Sequence, residues 1–300
     1  MTINNNRKKP ATMKDVAELA GVSQPTVSRV LNKKNTSISI SDETRVKVLA
    51  AAEQLNYHPN VLARGLRTQQ TQMIAVMVAD ISNNFYHRIA RAVQDVASEY
   101  QYDVMIANSD HLYQLEKQFL SAVSRRPVDG VIAVPIHLTN NDIDQFVRQT
   151  HTPMAVLGQQ IHHPQVDVVY GDDESAIYAV TNWLINQQHY QQIGFIGVPE
   201  DLPPGPRRFH GFERAMRDLN LPILEQHIVE SDFTLEGGKR AVHQLINTGH
   251  LPDVLIVLND LMAIGVILAL QDAGYVVPDD VAVVGFDNIQ ESTIIRPSLT

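Results

Sequence analysis

From Met73 onward the sequence alternates short apolar runs with longer amphipathic stretches, and this alternation limits the possible folds more than any other feature. The apolar runs read MIAVMVA, DVMIA, GVIAV, MAVLG, IGFIG, VLIVL and VAVVGF. Continuous apolar runs of this length are typical of strands buried on both faces, and the stretches between them have the period of helices. The alternation therefore predicts parallel sheets flanked by helices, that is, an α/β fold.

The alternation occurs in two blocks, which predicts two lobes. A bridging strand is expected at 166–170, with the first lobe over about 71–168 and the second over about 169–290. Because ligands of such sheets bind at the carboxyl ends of the strands, the cleft between the lobes is the expected ligand site.

The N-terminal segment has a different pattern, which predicts a small all-α domain with two short helices joined by a tight turn. Thr12 and Ser23 occupy N-cap positions, Gly21 separates the two helices, and a third helix is expected from Ser41. The residues expected to face its core are Val16, Ala17, Leu19, Ala20, Val22, Val27, Val30, Leu31, Val46, Leu49, Ala52 and Leu55.

The charge distribution indicates that this small domain binds nucleic acid. Residues 1–70 carry 11 Lys and Arg against 5 Asp and Glu, a net charge of +6, whereas the rest of the chain carries 13 against 28, a net charge of −15. A phosphate backbone attracts the first part and repels the second. A helix in the major groove could present Gln24, Pro25, Thr26, Ser28 and Arg29 to bases and phosphates. The alternative is an ordinary helical hairpin.

The segment DVAELAGVSQPTVSRVLN, followed by YHPN and ARGL, resembles the headpiece and hinge of the LacI/GalR family of bacterial transcriptional regulators. The resemblance implies a helix-turn-helix headpiece over 1–57 and a hinge over 58–70 that inserts Leu66 into the minor groove of the operator. Taken alone, a leucine on a helix is more often a core residue. The residues expected to contact DNA are Thr12, Lys14, Ser23, Gln24, Pro25, Thr26, Ser28, Arg29, Asn32, Tyr57, Asn60, Ala63, Arg64 and Leu66.

The resemblance continues through DISNNFYHRIARAV, RFHGF, Asn259-Asp260 and GFD, and it implies a two-lobed core like that of periplasmic binding proteins over 71–300. In this family such a core binds an effector and forms the dimer. The effector contacts implied are Phe85, Tyr86, Ile89, Arg208, Asn259, Asp260 and Asp287. A guanidinium and two carboxylates can hydrogen-bond to vicinal hydroxyls or a phosphate, so a sugar or sugar phosphate is the expected effector. The simpler alternative is that Arg208 pairs with an acidic neighbour and Asp287 ends a strand.

Two departures from the family pattern stand out. Gly158 takes the place of an acidic residue found in some sugar-responsive members, and 200–206 is an unusual proline-rich loop. The family also continues beyond Thr300, so we expect IRPSLT to start a strand that returns to the first lobe over about 291–300, in an apparently truncated lobe.

Several function classes lack support in the sequence. It has no cysteine, no spaced metal ligands, no glycine-rich phosphate loop and no nucleophile elbow, so we expect neither a metal nor another cofactor, nor an enzyme. No stretch approaches the roughly 18 apolar residues of a membrane span, and the polar N-terminus lacks a secretion signal. We expect a cytoplasmic repressor that acts as a homodimer or higher assembly. The alternatives are a transport-type binding protein and a regulator that answers to a protein corepressor.

Overall fold

The computed structural model describes residues 11–31, 40–58 and 70–299. It divides into two compact units, one ending at Thr71 and one beginning at Gln72, which we describe separately. Within the described ranges, no helix is long and apolar enough to cross a membrane.

The first unit, the headpiece, contains helices α1 (Met13–Ala20), α2 (Gln24–Leu31) and α3 (Asp42–Gln54). Thr12 caps α1: its Oγ1 accepts from the backbone N of Asp15 at 3.3 Å, and Oδ2 of Asp15 accepts from the backbone N of Thr12 at 2.7 Å. Gly21 ends α1 in the left-handed conformation, with φ of 66°. The predicted helix-turn-helix is therefore confirmed.

The core of the headpiece uses a different face of α3 from the one predicted. Its buried residues are Val16, Ala17, Val27, Val30, Val48, Ala51 and Ala52. Leu19, Val46 and Leu49 are exposed, so the prediction that they are core residues is wrong. The reason is the helical period. Positions 48, 51, 52 and 55 follow the i, i+3, i+4, i+7 pattern of one helix face. The predicted positions 46, 49, 52 and 55 are spaced by three residues, so they do not all lie on one face.

The second unit begins with a five-stranded parallel sheet in the order β2-β1-β3-β4-β5. Its strands are β1 (Met73–Val78), β2 (Asp103–Asn108), β3 (Gly130–Ala133), β4 (Met154–Leu157) and β5 (Val166–Val169). The helices between them are α4 (Asn84–Glu99), α5 (Tyr113–Arg125) and α6 (Asn140–Thr150). We call this part the first lobe.

A four-stranded parallel sheet in the order β7-β6-β8-β9 forms the second lobe. Its strands are β6 (Ile193–Gly197), β7 (Ile228–Glu230), β8 (Val254–Val257) and β9 (Ala282–Val284). Its helices are α7 (Asp173–Asn186), α8 (Gly205–Asp218), α9 (Leu235–Thr248) and α10 (Asp260–Asp272). The short strand β7 was not predicted, because three residues, one of them charged, produce no recognisable apolar run.

The strand orders determine where a ligand can bind. In the first sheet the chain lays β2 on one side of β1 and β3 on the other, and in the second it does the same around β6 with β7 and β8. At such a reversal the loops after the central strands diverge and leave a crevice at their carboxyl ends. The loops after β1, β3, β6 and β8 are therefore the expected ligand-binding loops.

The C-terminal segment does not form the predicted strand in the described residues. After a 3₁₀ turn over Gln290–Thr293, Ile295 and Leu299 pack against the core of the second lobe. The side chain of Arg296 donates to three preceding backbone carbonyls, and its own carbonyl accepts from Gln271 Nε2 at 2.8 Å. These contacts hold the chain in turns, so the expectation that IRPSLT starts a strand back to the first lobe is wrong for residues 291–299.

Candidate DNA-binding face and effector cavity

The second helix of the headpiece has one buried and one accessible side. Val27 and Val30 face the core, whereas Gln24 and Pro25 are exposed. The half-buried members of the predicted reading set are Thr26, Ser28 and Arg29. Ser23 caps the helix: its Oγ accepts from the backbone N of Thr26 at 3.4 Å and lies 2.9 Å from Thr26 Oγ1. The N-terminal half of α2 thus presents short polar groups to the outside.

The other predicted DNA contacts are in varied settings. The hydroxyl of Thr12 donates to Asp15 Oδ2 at 2.8 Å, and hydrogen bonds from Thr12 lower the pKa of Asp15. Lys14 is exposed, while the ring of Tyr57 packs on the headpiece core, where burial raises its pKa. The predicted contacts that lie outside the described residues are Asn32, Asn60, Ala63, Arg64 and Leu66.

A cavity of about 610 Å³ lies at the carboxyl ends of the two sheets of the second unit. This volume is in the range of pockets that hold small ligands. Its lining includes six of the seven predicted effector contacts, namely Phe85, Tyr86, Ile89, Arg208, Asn259 and Asp287. The loops that carry these six residues thus meet at one cavity, and Asp260 is described below.

Arg208 is a buried cation near the start of α8. Its Nη1 donates to the carbonyl of Leu258, its Nη2 lies 3.4 Å from Asp287 Oδ1, and its Nε lies 3.4 Å from Asp173 Oδ2. The guanidinium also lies 3.7 Å from the ring centroid of Phe286, a favourable cation–π distance. The charge of the arginine is thus balanced by long contacts, and its Nε has no hydrogen-bond partner.

The RFHGF motif explains how α8 brings Arg208 to the cavity. A Cβ at Gly211 would collide with the backbone carbonyl of Glu174, so glycine allows α8 to lie directly against the start of α7. Phe212 in the same motif is fully buried in the core of the second lobe. This close packing places Asp173 beside both arginines, with Arg207 Nη2 at 3.5 Å from Asp173 Oδ2.

Asp287 follows β9 and lies beside Arg208. Burial raises its pKa to about 7; the negative charges of Asp260 and Asp173 act in the same direction, and Arg208 opposes them. Its φ of 109° lies in the region that favours glycine. Backbone strain of this kind persists where surrounding contacts enforce it, often at ligand-binding residues.

Asp260, the seventh predicted effector contact, is absent from the cavity lining. Its Oδ2 accepts from the backbone N of Ile289 at 2.8 Å, and its own N donates to the carbonyl of Phe286 at 2.8 Å. Burial raises its pKa, while backbone N–H groups of the turn act in the opposite direction. The carboxylate therefore holds the turn that carries Asp287, and the structure does not support direct effector contact by Asp260.

An aromatic wall forms the first-lobe side of the cavity. The rings of Phe85 and Tyr86 meet edge to face at 5.1 Å, and Tyr86 is buried. Burial raises the pKa of Tyr86, and the charge of Asp287 adds to the effect. Behind Tyr86, the imidazole of His111 stacks on Phe233 of the second lobe at 5.1 Å. Aromatic contacts thus join the two lobes beside the cavity.

Several lining residues were missed by the sequence reasoning. They include Asn83, Gln160, Tyr170, Asp173, Arg207 and Phe233. Asp173 could have been found, because Asp172 and Asp173 form an acidic pair at the start of α7, and such a pair is a helix start signal. Arg207 adjoins a predicted contact. For Gln160 the sequence holds no comparable signal.

The arrangement favours a ligand with several hydroxyl groups. Nε of both Arg207 and Arg208 is buried without a hydrogen-bond partner, and the carboxylates of Asp173 and Asp287 are acceptors on the same side. Vicinal hydroxyls can accept from the first pair and donate to the second. Across the described ranges, no group of three or more His, Asp or Glu could hold a metal ion.

Two protein-family models match the chain. Residues 12–60 match the model for bacterial regulatory proteins of the lacI family, and residues 71–300 match that for periplasmic binding proteins and the sugar-binding domain of the LacI family. The two matches correspond to the two units that the structure separates.

Individual relatives agree with the models. The chain is 35% identical over 290 residues to catabolite control protein A of Priestia megaterium, covering 96% of this chain and 86% of the relative. It is 33% identical over 289 residues to the ribose operon repressor of Halalkalibacterium halodurans, covering 96% and 84%.

Solved structures show the same architecture. The Lac repressor dimer bound to operator and the anti-inducer ONPF matches with a TM-score of 0.84 and 27% identity, covering 97% of this chain and 87% of that one. The complex of the transcriptional regulator CelR with cellobiose matches with a TM-score of 0.67 and 26% identity, covering 96% and 86%. The chain belongs to the LacI family of DNA-binding transcriptional regulators.

Proposed function

We propose that the chain is a homodimeric repressor whose affinity for its operator is changed by a small polyhydroxylated effector, a sugar or sugar derivative, bound between the lobes. The observation that carries the proposal is the pairing of Arg208 with Asp287 inside a 610 Å³ cavity, in a chain that also presents the polar face of α2. A ligand-binding protein for transport would have no use for the headpiece.

The cavity chemistry supports a carbohydrate-like effector. Arg208 and Asp287 provide a donor and an acceptor to neighbouring hydroxyls, while Phe85 and Phe233 offer apolar ring faces against a pyranose. One structural relative is a complex with cellobiose, and one sequence relative is named for the ribose operon. Both names support a carbohydrate as the ligand class.

Exposed apolar residues of the first lobe support the homodimer. Val96 and Tyr100 near the end of α4 and Ile106 on the edge strand β2 are all exposed. A second copy that covers them would remove apolar surface from water and would bring two headpieces together. Two equivalent headpieces read two half-sites, so the operator should be nearly palindromic.

Contacts between the lobes supply the coupling between effector binding and DNA affinity. Arg88 Nη1 on α4 donates to the carbonyl of Asn288 in the second lobe at 2.7 Å, and His111 stacks on Phe233. An effector shifts the balance between lobe arrangements only by binding one of them more tightly than the other. If the operator also binds one arrangement more tightly, linkage makes effector and operator change each other's affinity by the same factor.

We further propose that the bound effector is released unchanged and that the protein acts in the cytoplasm, where its DNA is. The buried carboxylates of Asp260 and Asp287 hold a turn and an arginine, respectively, which are positioning and binding roles. Incubation of the purified chain with the sugars that bind it should leave their concentrations unchanged.

Selection of bound sequences from a random duplex DNA pool by the full chain tests the regulator assignment. We expect enrichment of a nearly palindromic site, bound with an affinity that falls steeply as salt rises, because basic residues displace counterions from the phosphates. Failure to enrich any sequence by a folded, dimeric preparation would contradict the proposal.

A further inference from the structure

A glutamine side chain occupies the space left open by a glycine at the first-lobe end of the cavity. Gly158 directly follows β4, and both it and Gln160 line the cavity. A Cβ at position 158 would lie 2.7 Å from Gln160 Oε1, closer than real Cβ contacts, and 3.0 Å from Nε2, so the amide would have to move. The observed position of the Gln160 amide is therefore available only when residue 158 is glycine.

The amide of Gln160 is held in one orientation. Its Nε2 donates to the carbonyl of Pro135 at 2.6 Å. Because a carbonyl can only accept, the nitrogen must face Pro135, which leaves Oε1 as the acceptor. No described residue donates a hydrogen bond to Oε1. This oxygen is not one of the buried side-chain atoms without a partner, so it is accessible to solvent.

The partner carbonyl is itself firmly placed. The carboxylate of Glu116 on α5 is fully buried and accepts three backbone N–H bonds, from Ile136 at 2.7 Å, His137 at 3.0 Å and Leu138 at 2.7 Å. These bonds fix the loop immediately after Pro135. Gln160 therefore presents its oxygen from a rigid support, as a specificity contact requires.

The charged residues of the cavity belong to the part of the chain that follows the first sheet, whereas Gln160 belongs to the first lobe. These charged residues are Asp172, Asp173, Arg207, Arg208 and Asp287. The first-lobe lining consists of uncharged side chains, with Gln160 and Asn83 as its amides. Asn83 Oδ1 already accepts from the backbone N of Phe85 at 3.0 Å. The first-lobe end thus offers a neutral acceptor.

We infer that Gln160 is a specificity-determining residue, whose Oε1 accepts a hydrogen bond from an uncharged hydroxyl on the first-lobe side of the effector, and that Gly158 is required to place it. The inference rests on the proposed function only in that the cavity binds an effector.

A double-mutant cycle on the full chain tests the inference. Calorimetric titration with glucose, galactose, ribose, cellobiose, glucosamine and glucose 6-phosphate identifies a neutral sugar that binds wild type, and this sugar becomes the probe. We expect Gly158→Ala and Gln160→Ala each to weaken its binding by about three- to tenfold, the loss of one neutral hydrogen bond. The double variant should bind no more weakly than Gln160→Ala, because the added Cβ then displaces nothing.

A charge variant provides an independent readout. Gln160→Glu keeps the size of the side chain but replaces the donor that faces the Pro135 carbonyl by a second acceptor and adds a negative charge. It should therefore weaken binding of the neutral probe while raising the affinity for glucosamine relative to glucose. Melting temperatures of all variants check folding, and Gln160→Ala and Gln160→Glu remain informative if Gly158→Ala does not fold.

Three results would overturn the inference: losses that add in the double variant, wild-type affinity in Gln160→Ala, or binding of only the charged compounds or of none in the panel. Operator binding, measured on the same preparations, tests the proposed function separately, since it does not depend on the cavity contact.

Discussion

Arg208 on α8 and Asp287 after β9 are 79 residues apart in the chain, yet Nη2 of the arginine lies 3.4 Å from Oδ1 of the aspartate. The parallel sheet creates this proximity, because the segments after β6 and β9 leave the sheet at the same edge. Burial raises the pKa of Asp287 to about 7 in spite of the cation. Near neutral pH the pair therefore exists both as an ion pair and with a protonated aspartate.

The raised pKa predicts how stability depends on pH. The folded protein keeps the Asp287 proton up to a pH of about 7, whereas the ordinary pKa is 3.8. The contribution of this group to the free energy of unfolding is fully present below the ordinary pKa and is lost as pH rises through about 7. The melting temperature of wild type minus that of Asp287→Asn should therefore fall between about pH 5 and pH 8. A difference that stays constant or rises over this range would contradict the assignment.

His111 should have the opposite pH dependence. Burial lowers its pKa and nearby His137 adds to this, while Asp80, Asp110 and Asp232 act against it. The folded state thus favours the neutral ring, and its contribution to stability is lost as pH falls through 6.5, the ordinary value. His111→Phe keeps a ring against Phe233 without a titrating group. Its melting temperature relative to wild type should rise as the pH is lowered, and parallel profiles would exclude the effect.

Arg208→Ala should abolish the response to effector while operator binding persists. The variant removes the forked donor from the cavity but leaves the headpiece intact. We expect at least about a tenfold loss of sugar affinity, the loss of one charge-assisted hydrogen bond. Arg214→Ala is the matched control on the same helix, since Arg214 pairs with Glu174 and Tyr178 outside the cavity lining. An undiminished response in Arg208→Ala would remove this residue from the effector site.

Arg29→Ala should weaken operator binding and relax base preference. A good side-chain contact to a base is worth about 1–3 kcal/mol of discrimination. Arg45→Ala removes the same charge from an exposed site on α3 and should affect mainly the salt-dependent affinity. Binding of both variants to a set of single-base operator changes distinguishes the two effects. If both lose affinity equally for every sequence, α2 does not read bases through Arg29.

Both sheets were predictable because their central strands are long apolar runs, whereas the contacts expected of Arg208, Asn259 and Asp287 were implied by the resemblance to the LacI/GalR family. The caps at Thr12 and Ser41 were equally readable, since local hydrogen bonds determine them. Strands and helix caps were therefore predictable where one local sequence pattern dominated.

Sequence patterns were insufficient where tertiary contacts decide between similar local patterns. α3 carries apolar residues on two faces, and packing against α1 and α2 selects Val48 over Val46. Asp260 and Asp287 both follow strands, but Asp260 turns inward to hold the backbone of Ile289. Gln160 reaches the cavity because of the space at Gly158 and the carbonyl of Pro135, neither of which a linear pattern reveals.

The central claim is that the cavity and the DNA-binding face are coupled, and one titration tests it most directly. The affinity of the full chain for its selected operator is measured with and without a saturating concentration of the sugar that binds the cavity. The account predicts a change of about five- to 150-fold in operator affinity, matched by an equal change in sugar affinity when operator is bound, as linkage requires. An operator affinity that is identical in both conditions, with the sugar demonstrably bound, would contradict the account.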